Sequence, residues 1–230
     1  METILAIETS VPEASIVLWS DGERLFEAKF VSDRNHNSMV FSPLAEALAH
    51  LDGQTLSCVI VGSGPGSYSG TRIGIAAAQG VAIANGCPAA ALGSIAATTE
   101  ARSQAAITAK AGAAAIGDAR RGLYYISPIT ASGEAAEPEL MDAAALRQRL
   151  TDAPDQVLFT LDDPASLQLD VELQQRVTAT KPHARLLVDV WLQLSDTRRE
   201  QLFSTPLSPS YLRAPFTSKA KPGHPLLRKG

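Results

Sequence analysis

Gly62, Gly64, Gly66, Gly70 and Gly74 punctuate one short stretch of the chain, which also carries Ser67 and Arg72. A glycine loop between a strand and a helix can turn backbone N–H groups toward an anion. It can also simply let a helix pack closely on a sheet. The spacing matches no established nucleotide loop. A dinucleotide fingerprint needs a glycine where Ser69 stands, and a P-loop needs lysine after Gly70, where Thr71 and Arg72 follow. A nucleophile elbow needs serine at the centre of Gly66–Gly70, and Tyr68 is there. The pattern reads as a tight turn feeding a buried helix, with Gly64, Gly66 and Ser67 as candidate anion contacts.

Other groups could also do chemistry. Glu8, Thr9 and Ser10 follow an apolar run at the N-terminus. Asp118, Arg120 and Arg121 sit between two apolar runs. The arginines there could hold a phosphate or carboxylate; as a turn, the same residues would close a hairpin with Asp118 paired to an arginine. His36, His50, His183 and His224 fall in no metal-ligand spacing, so no metal site is expected. Cys58 and Cys87 lie in apolar contexts and read as buried structural thiols in a reducing cytosol.

The elements that must position these groups follow from periodicity. Residues 3–9 are too apolar for a half-exposed strand and read as a central one. Strands follow at 14–18 and 24–31, then a helix at 38–51, a strand at 57–61, a helix at 71–85 and a strand at 88–92. A second lobe is expected from about residue 105, with strands at 112–118, 122–128 and 156–160 and helices at 141–151 and 184–195. Residues 214–230, with four basic residues and three prolines, read as a basic, poorly ordered tail that is either solvated or in contact with RNA phosphate. A net charge of −4 over 230 residues argues against an autonomous nucleic-acid binder. No apolar run approaches the ~20 residues that span a bilayer, and the N-terminus lacks a signal-peptide pattern. A cytoplasmic protein without membrane contact is expected.

Four blocks in order resemble the TsaB (YeaZ) family of tRNA threonylcarbamoyladenosine biosynthesis. They are Ile4–Ser10, Gly64–Gly74, Asp118–Tyr125 and Ser208–Arg213. Glu8 stands where an aspartate is usual, and Thr71 departs from the family's leucine. The resemblance covers about residues 1–213 and is thin from 130 to 205. It implies an α/β fold of the actin/hexokinase/Hsp70-like (ASKHA), ribonuclease H-like class, with two lobes, mixed central sheets and flanking helices. The β-β-β-α-β-α-β order of lobe one agrees. The implied boundaries are 1–104 for the first lobe and 105–213 for a smaller second one.

The resemblance implies a non-catalytic subunit that binds the catalytic paralogue TsaD together with the ATPase TsaE. It also implies pairing with a second copy when TsaD is absent, and tRNA contact only through the complex. The partner face would lie on the two lobe-one helices, at His36, Met39, Val40, Pro43, Leu44, Ala47, Arg72, Ile73, Ala76, Ala77 and Gly80. Small side chains there let another helix approach. Arg72 and the Gly64–Gly70 loop would shape the cleft rather than perform chemistry. In ASKHA kinases an aspartate at the Glu8 position helps hold metal-nucleotide. Here the following hairpin has no glycine and adds Glu13, so Glu8 reads as a hydrogen-bonding cleft residue, although its carboxylate could bind a cation. Glu8, Thr9, Ser10, Gly64, Gly66, Ser67, Asp118 and Arg120 are the candidate nucleotide or anion contacts. No cofactor is assigned to the chain itself, with ATP or ADP expected at most at complex interfaces. An ATP-dependent phosphotransferase is the alternative, and a metallopeptidase a more distant one.

Overall fold

A computed structural model describes residues 2–31, 37–103 and 112–212. Strands β1 (Thr3–Glu8), β2 (Glu13–Ser20) and β3 (Glu23–Val31) form an antiparallel meander. Strands β4 (Cys58–Gly62) and β5 (Ala89–Leu92) add in parallel on the other side of β1, for the order β3-β2-β1-β4-β5. Helix α1 (Phe41–Ala49) precedes β4, and α2 (Tyr68–Asn85) joins β4 to β5.

The second sheet repeats this plan. Strands β6 (Ala113–Asp118), β7 (Leu123–Pro128) and β8 (Glu139–Asp142) are antiparallel, while β9 (Val157–Thr160) and β10 (Val177–Ala179) run parallel to β6. Read from its outer strand, the order is β8-β7-β6-β9-β10. Two copies of one topology therefore stand in a chain whose sequence shows no regular repeat. This is the two-lobe ASKHA architecture with mixed sheets. Helices α3 (Ala143–Asp152), α4 (Val171–Gln175), α5 (Ala184–Gln193) and α6 (Asp196–Phe203) complete the described α-helices.

Strand periodicity decides how each sheet is covered, because successive side chains point to opposite faces. Leu5 and Ile7 of β1, with Val59 and Val61 of β4, meet Val40, Leu44 and Ala47 around α1 and Ile75, Ala78 and Val81 of α2. Ile4, Ala6 and Ile60 face the other way, onto Ala184, Leu187, Val188 and Trp191 of α5. The sequence reading placed residues 184–195 with the second lobe; in the fold this helix forms one cover of the first sheet. In the second sheet, Ala114, Ile116 and Ile126 pack on Leu146 and Leu150 of α3. Ala113, Ala115, Tyr125 and Phe159 face Ile95 and Ala101, in the segment that follows β5.

Two further differences have local causes. Helix α2 starts at Tyr68, three residues before the expected Thr71, because Ser67 caps it: its Oγ accepts the Gly70 amide at 3.2 Å. The short elements β8, α4 and β10 escape the sequence reading because three to five residues carry too little periodicity to register.

Trp191 anchors the α5 cover. It is 1% exposed, its Nε1 donates to Glu2 Oε1 at 2.9 Å, and Phe203 and Arg199 lie against its ring. Trp191→Ala should cost about 3–5 kcal/mol, read as a lower urea midpoint. A loss within about 0.5 kcal/mol, the range of a surface change, would contradict the two-sided burial of this sheet.

Candidate functional site

The glycine stretch is filled from within by the tip of the first hairpin. A Cβ at Gly62 would lie 2.0 Å from Glu8 Oε2, one at Gly66 2.1 Å from the Ser10 carbonyl oxygen, and one at Gly70 2.2 Å from the Thr9 carbonyl oxygen. At Gly74 it would lie 2.2 Å from Thr9 Oγ1. Real Cβ atoms do not approach so closely, so these four positions need hydrogen in place of a side chain. The contact is also hydrogen-bonded: the Ser67 amide donates to the Ser10 carbonyl at 2.6 Å, and Thr9 Oγ1 donates to the Gly70 carbonyl at 2.8 Å.

Amides that a phosphate would need are used by the protein. The Ser63 amide donates to the Leu92 carbonyl, the Gly64 amide to Ser94 Oγ, and the Gly70 and Thr71 amides to Ser67 Oγ and the Ser67 carbonyl. With the Ser67 amide on Ser10, five donors of the 63–71 segment are committed internally. Gly66 and Ser67 therefore form a packing contact with the hairpin tip, and the Gly64 amide is held by Ser94.

Glu8 is fully buried at the centre of this contact. Its Oε1 accepts the Ser10 amide at 2.7 Å, while Oε2, against Gly62, has no hydrogen-bond partner. Burial pushes its carboxyl above the usual range; the Ser10 amide pulls the other way without cancelling it. An ionised, unpaired oxygen here would carry a large desolvation cost, so the arrangement suits a neutral carboxylic acid. Ser10 Oγ is likewise buried without a partner, and Thr9 is buried beside it.

Asp118 and Arg120 lie at the β6–β7 turn. Asp118 Oδ1 accepts the Arg120 amide at 2.7 Å, and Oδ2 pairs with Arg120 Nη1 at 3.1 Å. Arg120, Arg121 and Gly122 all take positive φ, of 67°, 57° and 75°. This is the charged hairpin turn, with its acid satisfied locally. Among the described residues, no group of three or more His, Cys, Asp or Glu side chains could hold a metal ion, and no helix is long and apolar enough to cross a membrane. The Cys58 thiol is buried and pushed up to about 12 by that burial; Cys87 is only half-buried, with its pKa raised for the same reason.

The helix residues divide sharply. Val40, Leu44, Ala47 and Ala77, expected on the partner face, are buried in the chain's own core. Their apolar character was read correctly, but their direction is inward, because α1 and α2 turn these positions to β1 and β4. Met39, Ala76 and Gly80 are exposed, and Pro43, Arg72 and Ile73 half-buried. His36 lies outside the described residues. The outward stripe of α2 is Tyr68, Arg72, Ala76, Gly80 and Ile83, with Tyr68 68% and Ile83 82% exposed. Phe41 adds a ring that is 58% exposed. Sequence reasoning missed Tyr68, Ile83 and Phe41. The four-residue spacing from Tyr68 to Gly80 was the available signal.

Arg72 is half-buried beside two tyrosines. Its guanidinium lies over the Tyr68 ring, 3.4 Å from the centroid, and 5.3 Å from that of Tyr211, whose hydroxyl it hydrogen-bonds.

Two stability measurements check this site. Gly70→Ala should cost about 1–3 kcal/mol or more through overpacking on Thr9. Gly80→Ala, which meets nothing within 4 Å, should gain up to about 1 kcal/mol from helix propensity. Glu8 binds its proton more tightly folded than unfolded, so its stabilising contribution is full below pH 4.5 and lost as pH rises through the folded value. The stability gain of Glu8→Gln over wild type should therefore grow with pH. A pH-independent difference would show that Glu8 is not neutral in the folded protein.

Comparison with known proteins places this geometry. The sequence model described as TsaD, tRNA N6-adenosine threonylcarbamoyltransferase, matches residues 30–180. The tRNA threonylcarbamoyladenosine biosynthesis protein TsaB of Escherichia coli K12 is 37% identical over 84 residues, 35% of either chain. TsaB of Haemophilus influenzae is 32% identical over 88 residues, 37% of either chain. The match thus spans about a third of the length of these relatives. A crystal structure from Pseudomonas aeruginosa, of an uncharacterized protein with similarity to peptidase YeaZ, superposes with a TM-score of 0.66 at 22% identity. It covers 93% of this chain and all of that one, and so shares the fold. With the family model matched over more than half its length and its curated relatives named TsaB, the chain belongs to the TsaD threonylcarbamoyltransferase family, in its TsaB/YeaZ branch.

Proposed function

We propose that the chain acts in forming N6-threonylcarbamoyladenosine on tRNA as a non-catalytic subunit that docks TsaD through the outer face of α2. The observation that carries this reading is the stripe of Tyr68, Arg72, Ala76, Gly80 and Ile83. It runs the length of a helix whose other side is buried in the core, exposed at Tyr68, Ala76, Gly80 and Ile83 and half-buried at Arg72. Small residues at its centre permit close helix approach, and large side chains at its ends supply the buried area that anchors an interface. Met39 and Phe41 extend the apolar surface beside it.

The filled glycine loop supports a role without chemistry of its own. Five of its amides are committed and the carboxylate that would face a metal-nucleotide is sealed against Gly62. Catalysis would then belong to TsaD, with TsaE as the further ATPase partner, and tRNA would be met only in the assembly. Any ATP or ADP would lie where chains meet. In the absence of TsaD, the same stripe would pair with a second copy of the chain.

Ala76→Glu and Ile83→Glu place charge on an exposed surface and should change stability by no more than about 0.5 kcal/mol. Each should nevertheless abolish copurification with the coexpressed TsaD of the same organism and reduce modified adenosine in a reconstituted reaction with TsaE. Undiminished complex formation by both variants would refute the interface. Modification that proceeds equally without the chain would refute the function.

A further inference from the structure

The segment after α6 crosses both lobes before the described chain ends. Leu207 packs on the core beneath α1 and α2, and Leu212 on the core of the second sheet's inner face. Between them the Ser210 amide donates to the Ser63 carbonyl at 2.8 Å, tying the segment to the start of the glycine loop. One residue later, Tyr211 reaches the N-terminal end of the α2 stripe. Its ring lies 6.4 Å from that of Tyr68, and its hydroxyl is hydrogen-bonded by Arg72.

Tyr211 nevertheless stays 46% exposed and Tyr68 68% exposed. Two half-open aromatic rings flank one arginine at the end of a small-residue helix face. Tyrosine and arginine are the side chains that most often dominate interface energetics. They are held here by each other, so little side-chain freedom is left to lose on binding.

We infer that Tyr211 is a docking residue delivered to the α2 surface by the C-terminal segment, and that a partner helix lying along α2 seats this segment across both lobes. The inference rests on the α2 docking reading and adds a second element to it. A partner that covers Tyr68 and Tyr211 together favours the seated segment, and by reciprocity a seated segment favours the partner. Because Leu207 and Leu212 pack on different lobes, docking on the first lobe is thereby coupled to the placement of the second.

The test uses the full chain and its TsaD partner, with affinity by calorimetry and amide exchange at Ser210. Tyr211→Ala should weaken binding at least about tenfold, a loss of about 1.4 kcal/mol, with the thermal midpoint unchanged. Tyr211→Phe, which keeps the ring, should restore most of the affinity. Partner binding should slow exchange of the Ser210 amide in wild type, an effect that a merely structural tyrosine would not produce. If Tyr211→Ala binds within about twofold of wild type while Ala76→Glu does not bind, the inference is overturned and the α2 reading stands. Normal binding by Ala76→Glu would overturn both. Should Tyr211→Ala fail to fold, Ser210 exchange that partner binding leaves unchanged overturns the inference by itself.

Discussion

The fold turns on the contact between the tip of the first hairpin and the segment that launches α2. Thr9 and Ser10 press carbonyl and hydroxyl groups onto Gly66, Gly70 and Gly74, while the Glu8 side chain presses on Gly62. Hydrogen bonds from Ser67 to Ser10 and from Thr9 to Gly70 hold the two pieces together. Everything outward follows from that closeness. Helix α2 can lie low enough over β1 and β4 to bury Ile75, Ala78 and Val81, and its opposite side is then displayed as a regular surface.

Much of this was legible in the residues, and the limits have physical causes. The strands and helices of the first lobe follow from apolar runs and periodicity. The four family blocks pointed to the architecture. What periodicity could not supply was direction. Val40, Leu44, Ala47 and Ala77 are apolar at helical spacing, but only the register of α1 and α2 on the sheet shows that they face inward. Ile83 looked like an ordinary helix residue, and its exposure depends on where the core ends. The role of Gly70 was hidden as well: it is a helix residue whose missing side chain makes room for a carbonyl from sixty-one positions earlier.

The same difficulty explains Arg72 and α5. Both are set by partners far along the sequence, Tyr211 for one and the β1 face for the other. Local pattern says what kind of neighbour a residue wants, and not which one it finds. A half-buried guanidinium between two tyrosines and an apolar helix on a sheet built from the opposite end of the chain are both answers that need the assembled molecule.

Helix α5 carries a consequence for synthesis. The first sheet is written by residue 92, yet the helix that closes its second face ends at residue 193. At a translation rate of about 5–20 residues per second, some 5–20 s separate the two. During that interval Ile4, Ala6, Trp19 and Ile60 have a completed strand order but, on one side, only the turn at Ala96 and Ala97 in place of the full α5 cover. The nascent first lobe is therefore a half-dressed sheet while the second lobe is being made, and it is the stage of the protein's life at which a chaperone has the most apolar surface to hold.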